Sequence, residues 1–309
     1  MSILCVGSVA LDSVETPFGK AERVPGGSAV FFTAAASLLS PVRVVGVVGD
    51  DYPDEALGFL ADRGADLSGI EHRQGESFFW EGRYDFDLNS RDTLETRLGV
   101  FGDFRPKIPD SFRSSRMVFL GNIDPDLQHE VLAHVEAPDL VACDSMNFWI
   151  EGKRDRLVSL LEKVDILLIN DSEARQLAGE ANLLKASRWI QAHGPEMVVV
   201  KKGEHGAILF ADDGVFFVPG YPLEALADPT GAGDAFAGGF LGYLSQAGST
   251  DSEHLRRAMV YGSAMGSYAV EAFSVDRFRE LTPDEVAARV VEFRRMTSFE
   301  IPVEAHEHV

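Results

Sequence analysis

Asp228-Pro229-Thr230-Gly231-Ala232-Gly233-Asp234 joins a turn, two glycines and two carboxylates to a run of small and apolar residues, Ala235 to Leu244. The run reads as a buried helix beginning near Asp234. A helix start presents unpaired N–H groups and about half a positive charge. Gly231 and Gly233 let the backbone turn tightly and come close to a ligand. Such a place suits an anion, and a phosphate in particular. A bound phosphate would repel Asp234, so the carboxylate needs a task there, and taking the proton of an attacking hydroxyl is one. An aspartate is also favoured in the first turn of any helix, so this short spacing alone leaves both readings open.

Other segments place polar residues where strands end and helices begin. Gly7-Ser8-Val9-Ala10-Leu11-Asp12 sets a carboxylate just past a first strand, where an open α/β sheet binds its ligands. Asp12 either accepts two hydroxyl hydrogen bonds at once or starts a turn. Pro25-Gly26-Gly27-Ser28-Ala29 opens a helix of small residues, a place for close backbone approach or an ordinary junction. Asn170-Asp171-Ser172-Glu173 has the spacing of a capping box. Lys201-Lys202-Gly203-Glu204-His205-Gly206 joins two strands and carries positive charge in an acidic chain. Strand alternation sends Lys201 and Lys202 opposite ways.

The block Asp228 to Gly239 resembles the C-terminal signature of the ribokinase-like (PfkB) carbohydrate kinase family, and Gly26-Gly27 resembles its N-terminal signature. The resemblance runs from Ile3 to about Arg295. It implies an ATP-dependent kinase acting on a hydroxymethyl group of a sugar or sugar-like acceptor. It implies an anion hole at Gly231, Ala232 and Gly233, with Asp234 as the catalytic base. Asp12, Gly26 and Gly27 would hold the acceptor, with Asn147 of Asp144-Ser145-Met146-Asn147 nearby. Asn170 and Glu173 would order Mg²⁺ and phosphate, Glu173 mostly through water. Lys201, Gly203, Gly206 and Thr230 would lie against the nucleotide. Ribokinase-type members carry Gly-Gly-Lys-Gly-Ala-Asn where this chain has Gly26-Gly27-Ser28-Ala29-Val30-Phe31, so ribose itself is a poor fit. Phe31 and Phe32, with Phe79 and Trp80, are candidates for an aromatic wall against a sugar face or a nucleobase. The same aromatics could instead pack a lid onto the domain. A nucleoside kinase of the same fold is therefore the alternative, and a non-catalytic nucleotide or sugar sensor a second one. Monovalent-cation activation is left open.

The elements that must position these residues follow from apolar periodicity. Strands are expected at Ile3–Val9, Val42–Gly49, Met117–Gly121, Leu140–Asp144, Ile166–Ile169, Met197–Lys201 and Ala207–Phe210, several as nearly unbroken Val/Ile/Leu runs. Helical patterns alternate with them at about Gly27–Leu39, Asp54–Arg63, Pro125–Glu136, Arg154–Lys163 and Leu183–His193. Three more close the chain at Asp234–Gln246, Ser252–Ala272 and Pro283–Met296. The fold class is α/β, and by resemblance a ribokinase-like three-layer doubly wound sheet over residues 1–296. Ser77–Leu88 and Leu94–Phe101 break the pattern as antiparallel strands about a turn at Asn89–Asp92. By resemblance they belong to a small β-sheet lid formed by about 12–24 and 76–104. Residues 297–309 read as a loosely held polar tail. Small residues from Gly262 to Ser267 admit either a flat adenine ring or close helix packing.

Composition bounds the rest. The chain has 309 residues, 45% of them hydrophobic, enough for one large domain with a real core. A formal net charge of -21 disfavours nucleic acid and anionic membranes, and no apolar run reaches the roughly 18 residues that span a bilayer. Two cysteines in apolar strands point to a cytoplasmic protein. A small-molecule partner is expected, and the resemblance admits a homodimer through the lid. No Gly-x4-Gly-Lys-Ser/Thr pattern occurs, and the Gly-x-Gly lies far from the first strand, against a Rossmann dehydrogenase.

Overall fold

The computed structural model describes residues 2–53, 55–88 and 90–300. Its strands are β1 (Ile3–Val6), β2 (Ala10–Thr16), β3 (Gly19–Gly26), β4 (Val42–Val48), β5 (Asp66–His72), β6 (Phe78–Tyr84) and β7 (Arg91–Arg97). Then follow β8 (Met117–Leu120), β9 (Leu140–Asp144), β10 (Ile166–Asn170), β11 (Met197–Lys201), β12 (Ala207–Ala211) and β13 (Gly214–Val218). Nine of them form one sheet in the order β13-β12-β11-β10-β9-β8-β1-β4-β5. From β5 to β11 every neighbouring pair is parallel, while β12 and β13 add an antiparallel edge.

Parallel strands need both faces covered. Along β1, Ile3 and Cys5 enter one apolar core, and Leu4 and Val6 enter the other. Helices Ser28–Ala36, Ala232–Ala247, Ser252–Ala269 and Pro283–Thr297 line the first core, while Pro125–His134, Arg154–Leu161, Asp171–Ala178 and Leu183–Gln191 line the second. The chain builds outward from β1 toward β5, then returns to build from β8 toward β11. This reversal opens a crevice at the carboxyl ends of β1 and β8.

The other four strands form a separate sheet, β3-β2-β6-β7, with β2 and β6 parallel and the outer pairs antiparallel. Its register aligns Asp12 with Trp80, and Tyr84 with Arg91. Register partners share a face, so these four side chains stand on one side of the small sheet.

The expected Val/Ile/Leu strands are all present, with ends moved by up to three residues. Strands β5 and β13 were not foreseen. Both are edge strands with exposed positions, and a half-solvated strand need not be apolar. The pattern at Leu94–Phe101 is instead β7 at Arg91–Arg97 followed by a 3₁₀ turn, Gly99–Asp103. The Asn89–Asp92 turn is therefore displaced, because Arg91 and Asp92 already pair in β7 (Asn89 lies outside the described residues). The helix expected over Asp54–Arg63 is reduced to Gly58–Asp62, Asp54 also being outside the described residues. The last helix reaches Thr297, and of the tail expected at 297–309, residues 301–309 lie outside the described residues. Cys5 and Cys143 are buried free thiols. No helix of the described residues is long and apolar enough to cross a membrane.

Candidate functional site

The helix Ala232–Ala247 begins two residues earlier than periodicity suggested, so Asp234 lies inside its first turn. Gly231 precedes it in the left-handed region, φ 74°. A Cβ at Gly231 would fall 2.2 Å from the Phe31 ring, so neither backbone nor space admits a side chain there. The turn is drawn tight by Thr230 N–H to Asp228 Oδ1 (2.8 Å) and Ala232 N–H to Pro229 O (3.2 Å). Ala235 N–H closes the first helical bond on Gly231 O (2.8 Å). The Gly233 and Asp234 amides come before that bond and have no intrahelical acceptor. The Asp234 carboxylate folds back on its own N–H.

Beneath this turn lies a compact charge cluster from three strand ends. Lys201, the last residue of β11, donates its ammonium to Asp144 Oδ2 at 2.6 Å. Asp144, the last residue of β9, also accepts from Ser145 N–H through Oδ1 (2.8 Å). Lys201 Nζ passes 3.1 Å from where a Cβ on Gly233 would sit, which places the ammonium under the glycine turn. Burial, and then Asp144, push the Asp234 carboxyl up to about 7, with Lys201 and Arg91 opposing. Glu173 rises to about 7 for the same leading reasons, burial and then Asp144. Burial works against the Lys201 ammonium, but Asp144, Asp234 and Glu173 outweigh it and its pKa ends above the ordinary value. Asn170 and Glu173 form a complete capping box, with Glu173 N–H on Asn170 Oδ1 (2.8 Å) and Asn170 N–H on Glu173 Oε2 (3.1 Å). The structural use of the pair is thus real. It also fixes Glu173 where it senses Asp144 and Lys201.

On the acceptor side of the crevice, Asp12 is buried and accepts from the Gly27 amide. A Cβ at Gly26 would fall 1.9 Å from Asp12 Oδ2, so this glycine makes room for the carboxylate. Gly27 has φ 94° and passes so close to Ser8 that a Cβ would lie 2.5 Å from its carbonyl oxygen. Ser8 and Ser28 bond each other reciprocally, Ser8 N–H to Ser28 Oγ (3.1 Å) and Ser28 N–H to Ser8 Oγ (3.0 Å). The first helix start is thereby tied to the β1–β2 connection, and the glycine pair first of all positions Asp12. Burial, then Asp228, push Asp12 up to about 8, against the Gly27 amide, and Asp234 adds to the rise. The two carboxylates, far apart in sequence, are within electrostatic reach of each other.

The other expected residues are not members of the charge cluster. Asn147 is exposed at the start of a short helix, Asn147–Gly152, and Asp144 is the member of that motif in the charge cluster. Gly203 and Gly206 bound a 3₁₀ turn beyond β11, and a Cβ at Gly206 would fall 2.1 Å from Val218 O, so the β13 end shapes that turn. The Thr230 hydroxyl donates to Tyr84 Oη of the small sheet (3.2 Å). Of the four aromatics grouped as a wall, Phe32 stacks on Phe119 in the core at 4.1 Å. Phe79 stands on the other face of the small sheet, against Arg23 and Arg97. Phe31 and Trp80 alone stay on the Asp12 and Gly231 side, and Phe31 is wholly buried there. Close approach of Gly262 to Phe236 and of Gly266 to Ala232 accounts for the small residues of helix Ser252–Ala269 by helix packing. Sequence reading assigned no role to Asp144, Asp228, Tyr84 or Arg91. Asp144 ends a parallel strand, a signal available in the sequence. Arg91 is reached only through the pairing of β6 with β7.

A family model described as pfkB family carbohydrate kinase matches residues 127–279. The cytidine kinase of Thermococcus kodakarensis is 29% identical over 255 residues, covering 80% of this chain and 89% of that protein. The nucleoside kinase of Burkholderia thailandensis, solved in complex with inosine, superposes with a TM-score of 0.77 at 21% identity, covering 97% of this chain and 99% of that one. An E. coli protein assigned as ribokinase II, solved with ATP and Mg²⁺, superposes with a TM-score of 0.78 at 20% identity, covering 94% and 99%. At these identities the structural likeness establishes the ribokinase fold.

Proposed function

The chain belongs to the PfkB family of carbohydrate kinases, and we propose that it moves the γ-phosphoryl group of ATP to a hydroxymethyl group of a sugar-like acceptor at the Asp12–Asp234 crevice. The observation that carries this site is the meeting of Asp12, Asp234 and the Gly231 turn at the switch of the sheet. Asp12 accepts hydrogen bonds from acceptor hydroxyls and fixes the attacking one. Asp234, raised to about 7, is matched to removing a proton near neutral pH. The amides of the first helical turn donate to the phosphoryl oxygens as charge gathers on them. The alcohol oxygen forms its bond to phosphorus as the bond to the β-phosphate oxygen breaks, and the alcohol proton passes to Asp234. The proton is released afterwards to solvent, and ADP leaves. Phosphoryl transfer depends chiefly on such positioning and electrostatics. Closure of the small sheet over the crevice excludes water.

Three carboxylates (Asp144, Glu173 and Asp234) face one ammonium, and two of them are held near 7 by burial. This surplus of negative charge fits a divalent cation. Among the described residues no cluster of three or more His, Cys, Asp or Glu is arranged to bind a metal outright. The arrangement suits Mg²⁺ that arrives with the triphosphate and keeps its waters. Glu173 and Asn170 would hold it through water, and it would neutralise phosphate charge.

A nucleoside acceptor is the second reading. It rests on Trp80, which shares the Asp12 face of the small sheet and could stack on a base, and on the similarity to a cytidine kinase over 80% of the chain. A panel of pentoses, hexoses and ribonucleosides, assayed with ATP and Mg²⁺ for phosphorylated product, tests both readings. Turnover of nucleosides alone selects the second, turnover of free sugars the first, and absence of product with all of them rejects the kinase.

A further inference from the structure

Arg91 lies on the small sheet, distant in sequence from every motif, yet the fold brings it to the mouth of the crevice. It is the register partner of Tyr84 and hydrogen-bonds the Tyr84 hydroxyl. That hydroxyl accepts from Thr230, one residue before the Gly231 turn. The guanidinium also stands over the Trp80 ring, 5.5 Å from its centroid. Two contacts thus hold Arg91 between the acceptor face of the sheet and the phosphate end of the helix Ala232–Ala247.

The charge balance gives the position meaning. Asp12, Asp144, Glu173, Asp228 and Asp234 converge on the crevice, and Lys201 is engaged by Asp144. A triphosphate brings further negative charge. Arg91 is the cation that the small sheet carries into reach of Asp12, Glu173 and Asp234, and it opposes the upward shift of all three. Its fork offers five N–H donors, more than one phenol can use, in a geometry that matches phosphoryl oxygens.

We propose that Arg91 is a catalytic residue borne on the lid, which donates to the transferring phosphoryl group when the small sheet is closed, and that Tyr84 and Thr230 form the latch that holds it there. The reading rests on the kinase assignment above. Lid closure then does more than exclude water, because it adds positive charge to a crevice where carboxylates outnumber Lys201. Acceptor binding beneath Trp80 and phosphoryl activation by Arg91 depend on the same two strands. An unclosed lid leaves ATP with the helix amides and Lys201 but without this guanidinium, which slows its hydrolysis.

The test uses full-length wild type, R91A, R91K and Y84F with ATP, Mg²⁺ and whichever acceptor the panel identifies. Arg91 is exposed, so R91A should melt with the wild type. Its kcat should fall by about 10²–10³-fold, the loss typical of one transition-state donor, while the acceptor KM moves less than about threefold. R91K should recover only a small part, since a lysine lacks the fork. Added guanidinium at millimolar concentration should restore part of the R91A turnover and none of D234N. Y84F, which loses the latch but keeps the arginine, should fall by about tenfold. An R91A enzyme with wild-type kcat overturns the proposal, as does a loss confined to acceptor KM. Wild type that phosphorylates no acceptor removes the kinase reading as well, whereas active wild type beside equally active R91A removes the arginine alone.

Discussion

Replacing Asp234 by Asn keeps the shape of the first helical turn and removes the proton acceptor. A positioned general base contributes about 10²–10⁴-fold, so kcat should drop by that factor with the nucleotide still bound. The pH dependence makes the assignment sharper. Burial, then Asp144, lift the Asp234 carboxyl from an ordinary 3.8 to about 7, with Lys201 and Arg91 pulling the other way. The base works only when unprotonated, so kcat/KM must rise with pH through this value. With a pKa of about 7, roughly a tenth of the enzyme is competent at pH 6 and nine-tenths at pH 8, an increase of about tenfold. An aspartate at its ordinary value would give a flat profile over the same range. The assay is initial rate of ADP formation, coupled or by direct separation, from pH 5 to 9 at subsaturating acceptor, since kcat/KM reports the free enzyme. A flat wild-type profile from pH 5 to 8, or D234N with wild-type turnover, refutes the reasoning.

Gly26→Ala would put a methyl group 1.9 Å from where Asp12 Oδ2 now lies. Displacing that carboxylate should raise the acceptor KM by about tenfold or more, the worth of a hydrogen bond to a charged group, while the ATP KM is unchanged in steady-state kinetics. Lys201→Met leaves Asp144 buried without its 2.6 Å partner. It should cost about 3–5 kcal/mol in urea denaturation, and move the acid limb of kcat/KM to higher pH because Lys201 holds Asp234 down. The free protein should also lose stability as pH rises. The folded state holds Asp12 at about 8 and Asp234 and Glu173 at about 7, against 3.8, 3.8 and 4.5 as starting values. Between about pH 4 and 8 the unfolded chain therefore binds fewer protons, and stability falls across that window. Thermal melts at pH 5.5 and 8 should show the decline, D12N and D234N should each flatten it, and Mg²⁺ with ATP should offset it at pH 8.

The sequence by itself determined the parallel sheet and the placement of the glycine turn. Unbroken Val/Ile/Leu runs suit strands covered on both faces, and the glycine turn, open to two readings by its short spacing, gained its meaning from the longer Asp228 to Gly239 block. It also marked Asp234 as a carboxylate at a helix start, a local feature of the chain, whereas Asp12, expected just past the end of the first strand, stands inside β2 because the chain there joins the small sheet. What it lacked was everything decided by pairing between distant segments. Edge strands β5 and β13 were hidden by their polar, half-exposed faces. Phe31 and Phe32 are adjacent in sequence, yet one presses on Gly231 and the other stacks on Phe119. Lys201 was expected near phosphate, and tertiary structure adds a pairing with Asp144 that the sequence did not show. Only the register of β6 with β7 brings Arg91 beside Tyr84, and only the fold over the crevice brings Tyr84 to Thr230. Local propensity and periodicity specify which elements form. The charges that meet between those elements are set by how they pack, and that information is spread over the whole chain.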